Sequence, residues 1–539
     1  MRAALFALLL TSCILAPLGG CDRPPADSAP PIVLPDGARK PNVIFIMVDT
    51  LRPDRLGAYG SKGGFTPVMD ALAAEGVLFE RCQSAASWTL PSIASIFTGY
   101  YPSVHKALDY KEVDKNRLDL KAGKDILVAA LADSFATLPE ILYDNGYETA
   151  ACVMNPFIQA EFGFGQGFHF FFGGVLENGA GNEGSRANEQ AFAWLDGKTA
   201  APRDAARPFF LYLHYMDCHG PYDAPARLVD PLLAAVEADT AKQPLPARAQ
   251  EALLPKNYLR RTPPVGSDPT RYDRLNMYRE YWLAGYNACV QEQDEYIAEL
   301  IAGLKSRGLW EDALVVLVSD HGESFAEHLY WEHGLEQYQT TLHVPLVVRW
   351  PKIVPAGKRV GAAVRTMDIT PTLLEMLAIS KEGTFAQGVS LVKAMQGAAD
   401  VPKPLIYSEA AKREDIEIEA VVEGDWKLIV STIRANGFVK TVELYDLKSD
   451  PGETTNVADA KQKIADAMYQ KLVQQREANK SAKPGVIINL KTAPDTLRGP
   501  IGVPYGGEGH QRGDSDGPAT APASQPGSQP APTNGKTRP

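Results

Sequence analysis

"PNVIFIMVDTLRPDRLGAYG" (Pro41–Gly60) decides how the rest of the chain is read. From Asn42 to Val48 it is almost wholly apolar, and it then stops on Asp49. A short run of this kind suits a strand covered on both faces, which belongs to a parallel sheet flanked by helices. In such sheets polar side chains at strand ends are the first place to look for chemistry.

The same texture returns in "PFFLYLHYM" (Pro208–Met216) and "ALVVLVS" (Ala313–Ser319). Helical patterns lie between these runs. "TPVMDALAAEGVLF" spaces Val68, Leu72 and Val77 for a helix followed by a short strand. "YNACVQEQDEYIAELIAGLKSRG" sets Tyr286, Cys289, Val290, Gln293, Ile297, Leu300, Ile301 and Leu304 on one stripe, with Gly308 as a stop. Past Ile379 the pattern changes. "IEIEAVVEGDWKLIVSTI" and "VKTVELYDL" alternate apolar and polar residues, as antiparallel strands with one wet face do, and an amphipathic helix follows at Lys461–Lys480. The expected fold is α/β: a mainly parallel sheet sandwiched by helices over residues 41–378, then a smaller α+β unit with an antiparallel sheet over 379–480.

The ends read differently. Residues 1–20 carry one arginine, a short apolar run and small residues, the pattern of a secretory signal. "LGGC" resembles a bacterial lipobox and makes Cys21 the expected lipidation site, with an extended Pro-rich tether to residue 40. The expected location is therefore the bacterial cell envelope, on a lipid anchor. Residues 481–539 form an extension, expected to be disordered from about Gly506. Of six cysteines none forms a C-x-x-C pair, so no zinc knuckle or thioredoxin-type site is indicated. The net charge of −11 argues against nucleic acid as a partner, and requires that an anionic substrate be met by local cations or a metal.

Three apolar runs end in metal-capable side chains: Asp49; Asp320 with His321; and His214, Asp217 and His219. One such residue alone is more often a turn cap. Two carboxylates, an imidazole and a hydroxyl would instead make a hard site suited to one divalent ion, Ca²⁺, Mn²⁺, Mg²⁺ or Zn²⁺. The hydroxyl would come from "SWTLPSIASIFTGYYP" (Ser87–Pro102), where Thr89 is either a nucleophile or, with Ser87, a simple helix cap before Pro91.

These segments, together with "LYLHYMDCHGPY", "VVLVSDHGESFAEHLYWEHG", "HVPLVVRWP", "DITPTLLEML" and "GDWKLI…ELYDLKSDPGETTN", resemble the sulfatase family of the alkaline phosphatase superfamily, in order from Pro41 to Ala458. The resemblance implies a divalent metal on Asp49, Thr89, Asp320 and His321. It implies Thr89 as nucleophile, and His219 and His333 in contact with the anionic group or the leaving group. Asn155, in "VMNPF", stands where many sulfatases have a lysine, and is the remaining substrate-binding candidate. His105, His169 and His343 read as structural.

The chain also departs from the family pattern. Many sulfatases have two consecutive aspartates where this chain has Asp49-Thr50, and the usual arginine after Pro-Ser is Ile93. The family nucleophile is usually a Cys or Ser oxidised to formylglycine, which expels sulfate by collapsing to the aldehyde. Thr89 carries a β-methyl group and lacks that exit. This favours attack by water on a phospho-threonine, hence phosphorus over sulfur chemistry. With few cations available, a singly charged ester (a phosphodiester, phosphonate monoester or sulfate ester) is easier to hold than a phosphate monoester. Phosphonate monoester hydrolases and the Thr-dependent phosphoethanolamine transferases and lipoteichoic acid synthases share the resemblance. The alternatives are a sulfuric ester hydrolase proper, a transferase moving a phospho-group to an envelope acceptor, and a binding protein on a decayed scaffold.

Overall fold

The computed structural model describes residues 31–482 except 109, 113–125, 129, 175–182, 241–268, 329, 381–386, 399–400, 411–415 and 435–438. The signal segment, Cys21 and the tail from Gly506 lie outside the described residues.

Among the described residues nine strands form one large sheet: β1 (Val43–Val48), β2 (Val77–Gln83), β3 (Glu148–Val153), β4 (Phe170–Gly173), β5 (Phe209–Tyr215), β6 (Leu314–Val318), β7 (His343–Val344), β8 (Leu346–Arg349) and β9 (Lys358–Arg365). Neighbours run β7-β2-β8-β6-β1-β5-β3-β4, and β9 also pairs with β2. The six apolar residues of β1 explain its central place. Val43, Phe45 and Met47 enter one hydrophobic layer, while Ile44, Ile46 and Val48 enter the other, all six fully buried. Burying each large side chain contributes about 1.5–3 kcal/mol, which favours a strand with no wet face. The β8 run is antiparallel to β6 and β2.

Helices cover both faces. On one side lies α2 (Thr89–Thr98), wholly buried. On the other lie α1 (Pro67–Ala74), α4 (Glu183–Leu195) and the long α6 (Pro269–Ser306). The expected stripe of α6 is found: Tyr286, Val290, Gln293, Ile297, Leu300 and Leu304 are buried, and Gly308 takes the positive φ of 65° that suits a C-terminal stop. Helix α3 (Leu138–Asp144) carries a capping box of Thr137 with Glu140, and α5 (Ala226–Thr240) packs on α6. No helix among the described residues is long and apolar enough to cross a membrane. Cys82, Cys152, Cys218 and Cys289 are buried free thiols.

The second sheet is antiparallel, with strands β10 (Ile406–Glu409), β11 (Ile416–Glu423), β12 (Trp426–Ile433) and β13 (Val439–Asp446) in sequential order. Helix α8 (Gln462–Ser481) packs on it through Ala465, Met468 and Leu472. Before it, α7 (Ile369–Met376) and the segment with Leu391, Val392, Ala394 and Met395 pack into the large core. The small sheet touches the segment leading into α2. Ala86 and Glu409 form an isolated parallel bridge, and Glu409 N donates to Ala85 O at 3.0 Å.

Candidate active site

Parallel register brings the chemistry together. Strand β1 lies between β5 and β6, with Val48 opposite Tyr215 and Met47 opposite both His214 and Val318. Asp49, the end of β5 and Asp320 therefore emerge at one edge. The loops are laced to each other: Leu51 N donates to Ser319 Oγ at 3.0 Å, Ser319 Oγ donates to His321 O at 2.6 Å, and Ser92 Oγ donates to Asp320 O at 2.7 Å.

Thr89 is the first residue of α2, and its side chain does not cap the helix. Ser87 does not cap it either, and accepts a hydrogen bond from Gln337 Nε2 at 3.0 Å. Thr89 Oγ1 instead lies 3.2 Å from His321 Nε2 and 3.4 Å from Asp49 Oδ2, and the residue is 3% exposed. The simple cap reading is therefore not what the structure shows. The site lies at the positive end of the α2 dipole, which favours an anion there.

Asp49, Asp320 and His321 are fully buried. Asp49 Oδ1 and Asp320 Oδ2 have no hydrogen-bond partner among the described residues, although an unmet buried carboxylate oxygen is costly. His321 Nε2 faces both, 3.6 Å from Asp49 Oδ1 and 3.3 Å from Asp320 Oδ2. Its Nδ1 donates to Gly322 O at 2.9 Å, which leaves the Nε2 lone pair turned inward. Burial and the His333 charge lower the His321 pKa to about 3, so the ring stays neutral as a ligand must. Burial and the Asp49 charge push Asp320 well above the usual carboxylate range. Burial would also raise Asp49, but the neighbouring His214, His219 and His321 imidazoles hold it below that range. Two facing carboxylates, two unmatched oxygens and an inward lone pair fit a divalent cation.

The other expected residues fall nearby. The His219 and His333 rings lie 5.0 Å apart, and His333 is 4.4 Å from His321. His333 Nδ1 donates to Glu323 Oε1 at 2.9 Å. Against the effect of burial, Glu323 raises the His333 pKa to about 9 and keeps the ring protonated. Asn155 lies against Asp49: its Nδ2 donates to Asp49 Oδ2 at 2.7 Å, and its Oδ1 accepts from Phe157 N at 2.8 Å. His105, His169 and His343 bond Ser95, Glu148 and Glu80 O, away from this cluster.

Three partners were not singled out from the sequence. Glu323 holds His333, and Tyr222 OH donates to Glu323 Oε2 at 2.9 Å. Tyr286 OH donates to Thr50 O at 2.8 Å and accepts from Arg52 N at 2.9 Å. Thr50 sits at φ 56°, a strained conformation for a β-branched residue, held at the site's edge. "SDHGE" and "HGPY" contained the signal for Glu323 and Tyr222; for Tyr286 the sequence offered only a core stripe.

The chain is similar to known proteins over most of its length. The Sulfatase family model matches residues 41–379, more than half of the chain, and an N-sulphoglucosamine sulphohydrolase C-terminal model matches 326–478. The Uncharacterized sulfatase YidJ of Escherichia coli is 23% identical over 475 residues, covering 80% of this chain and 86% of its own. A choline-sulfatase of Rhizobium meliloti is 24% identical, covering 78% and 83%. Among solved structures, a protein in complex with its substrate D-glucosamine-2-N,6-O-disulfate superposes with a TM-score of 0.63 at 20% identity, covering 83% of this chain and 99% of that one. The phosphonate monoester hydrolase of Agrobacterium radiobacter gives 0.62 at 20% identity, covering 82% and 96%. The chain belongs to the sulfatase family, a family of ester hydrolases.

Proposed function

We propose that this sulfatase-family hydrolase cleaves singly charged esters, a phosphodiester or phosphonate monoester ahead of a sulfate ester, with Thr89 as nucleophile. One observation carries the reading. Thr89 Oγ1 stands 3.2 Å from His321 Nε2 and 3.4 Å from Asp49 Oδ2, beside two carboxylate oxygens that have no hydrogen-bond partner among the described residues. A helix cap would not point its hydroxyl into that cluster.

Asp49, Asp320, His321 and Thr89 would hold the divalent ion. When bound, that ion lowers the cost of ionising the hydroxyl and offsets charge on the ester. Asp49 Oδ2 is the carboxylate acceptor nearest the Thr89 proton. Thr89 Oγ1 attacks phosphorus or sulfur while the bond to the leaving oxygen breaks. His333, held protonated by Glu323, donates its proton to that oxygen, and His219 beside it orients the group. Water then attacks the Thr89 ester and releases the acid. A lipid anchor at Cys21 would hold the enzyme in the bacterial envelope; this part rests on the "LGGC" sequence.

The sulfuric ester reading keeps a specific support in the sulfatase relatives, so the test separates the two. Purified protein is assayed with nitrophenyl sulfate, phosphate monoester, phosphodiester and phosphonate, and quenched samples are searched by mass spectrometry for an adduct on Thr89. Turnover of the diester or phosphonate with a Thr89 adduct supports the proposal. Turnover of the sulfate alone overturns the order of substrates, and unchanged turnover in Thr89→Ala overturns the nucleophile.

A further inference from the structure

The family pattern has a second carboxylate directly after Asp49, and this chain has Thr50. The structure shows what Thr50 does instead. Its Oγ1 donates back to Asp49 O at 2.8 Å, and its N donates to Asp320 Oδ1 at 3.4 Å. It is therefore committed to holding the strand-end turn. The next carboxylate, Asp54, is committed too, with Arg52 at 2.8 Å and Arg55 at 2.9 Å. Neither replaces the missing ligand.

His214 is placed to do so. It is fully buried in β5, with Nε2 3.2 Å from Asp49 Oδ2. Ligand atoms of Asp49, His214 and Asp320 all lie within 4.8 Å of one another. Its other nitrogen, Nδ1, lies 3.0 Å from the Tyr212 hydroxyl. That hydroxyl can accept a hydrogen bond from Nδ1–H, the tautomer that leaves the Nε2 lone pair for an ion, as in the arrangement that orients ligating imidazoles elsewhere. Tyr212 is itself fully buried.

We infer that His214 is a further protein ligand of the metal centre, standing in for the carboxylate that Thr50 does not supply. This rests on the divalent-metal reading of the site. Replacing a carboxylate by an imidazole changes the preferred ion. Ca²⁺ and Mg²⁺ favour all-oxygen shells, while two imidazoles with two carboxylates favour a borderline ion of the Zn²⁺ type. The centre is therefore built for Zn²⁺ over Ca²⁺. The competing role is a hydrogen bond from His214 Nε2–H to Asp49 that only positions the carboxylate.

The test uses the whole purified chain, stripped of metal and reloaded with ZnCl₂ or CaCl₂ alone, so metal binding is read without a substrate. X-ray absorption of the Zn²⁺ form counts coordinated imidazoles, and chelator competition gives affinities for both ions. Two imidazoles in the wild type and one in His214→Ala, with the Zn²⁺-over-Ca²⁺ preference falling by about tenfold or more, support the inference. One imidazole in the wild type, or a His214→Gln variant with wild-type Zn²⁺ affinity, overturns it in favour of the positioning role. A wild type that binds neither ion overturns the metal reading itself. A wild type that binds Zn²⁺ as expected yet turns over no ester leaves the ligand assignment standing and sinks the proposed activity alone.

Discussion

Asn155 Nδ2 donates a 2.7 Å hydrogen bond to Asp49 Oδ2, at the position where many family members carry a lysine. The amide therefore steadies the Asp49 carboxylate. Asn155→Asp keeps the shape but removes both N–H donors and sets a negative charge against Asp49. Asn155→Ala removes the donor without adding charge. We expect both to slow turnover, the Asp variant more strongly, as read from kcat/KM on nitrophenyl esters. An Asp variant as active as the wild type would contradict this arrangement.

Thr89 lies in contact distance of both His321 and Asp49. Thr89→Ala should reduce kcat by roughly 10³-fold or more, the scale seen when a nucleophile is removed. Thr89→Ser keeps the hydroxyl and should retain measurable turnover. Initial rates under saturating substrate decide.

Glu323 reaches the site through His333, whose Nδ1 donates to its Oε1. Glu323→Gln keeps a hydrogen-bond acceptor for His333 Nδ1 but removes the charge that holds the ring protonated. Esters with poor alkyl leaving groups, which need that proton, should slow more than nitrophenyl esters, which leave unaided. The slope of log kcat/KM against leaving-group pKa should steepen. An equal loss across the series would mean a purely structural role.

His105 tests the core beneath α2. Its Nδ1 accepts from Ala107 N at 3.1 Å and its Nε2 lies 3.0 Å from Ser95 Oγ, so the buried ring must be neutral. Burial lowers its pKa from 6.5 to about 3 in the folded state. The folded pKa lies below the unfolded one, so the stability it contributes is full above 6.5 and falls as pH drops toward 3. The slope is at most about 1.4 kcal/mol per pH unit. Thermal unfolding of His105→Gln should show a shallower loss over that window than the wild type.

Lys427 and Glu453 form a fully buried ion pair at 2.6 Å, which joins β12 to the loop after β13. Removing one partner strands the other charge. Lys427→Ala should cost about 3–5 kcal/mol by denaturant unfolding, and Lys427→Met with Glu453→Gln should recover much of it.

How much of this was legible in the sequence follows from what each residue does. Asp49, Asp320 and His321 could be found because apolar runs stop abruptly on them, and parallel pairing brings those stops to one edge. The direction of β8 was not legible: a strand buried on both faces has the same composition whichever way it runs. His214 was visible only as a metal-capable residue at the end of an apolar run, since its alignment with Asp49 depends on register. Glu323 stands inside the "SDHGE" motif, but its pairing with His333 forms only when the hairpin pairs Trp331 with Phe325 and Glu332 with Ser324. The motif pair "GDWKLI" and "SDPGE" is visible in the sequence, but only the fold explains it, as the two ends of the Lys427–Glu453 ion pair.

The bridge between Ala86 and Glu409 bears on how such proteins can be recombined. The terminal sheet grips the backbone three residues ahead of Thr89, so it cannot be exchanged as an independent cassette. A chimera that borrows this sheet from another lineage must also reproduce the clasp at Ala86, or it will inherit a displaced threonine along with its new partner.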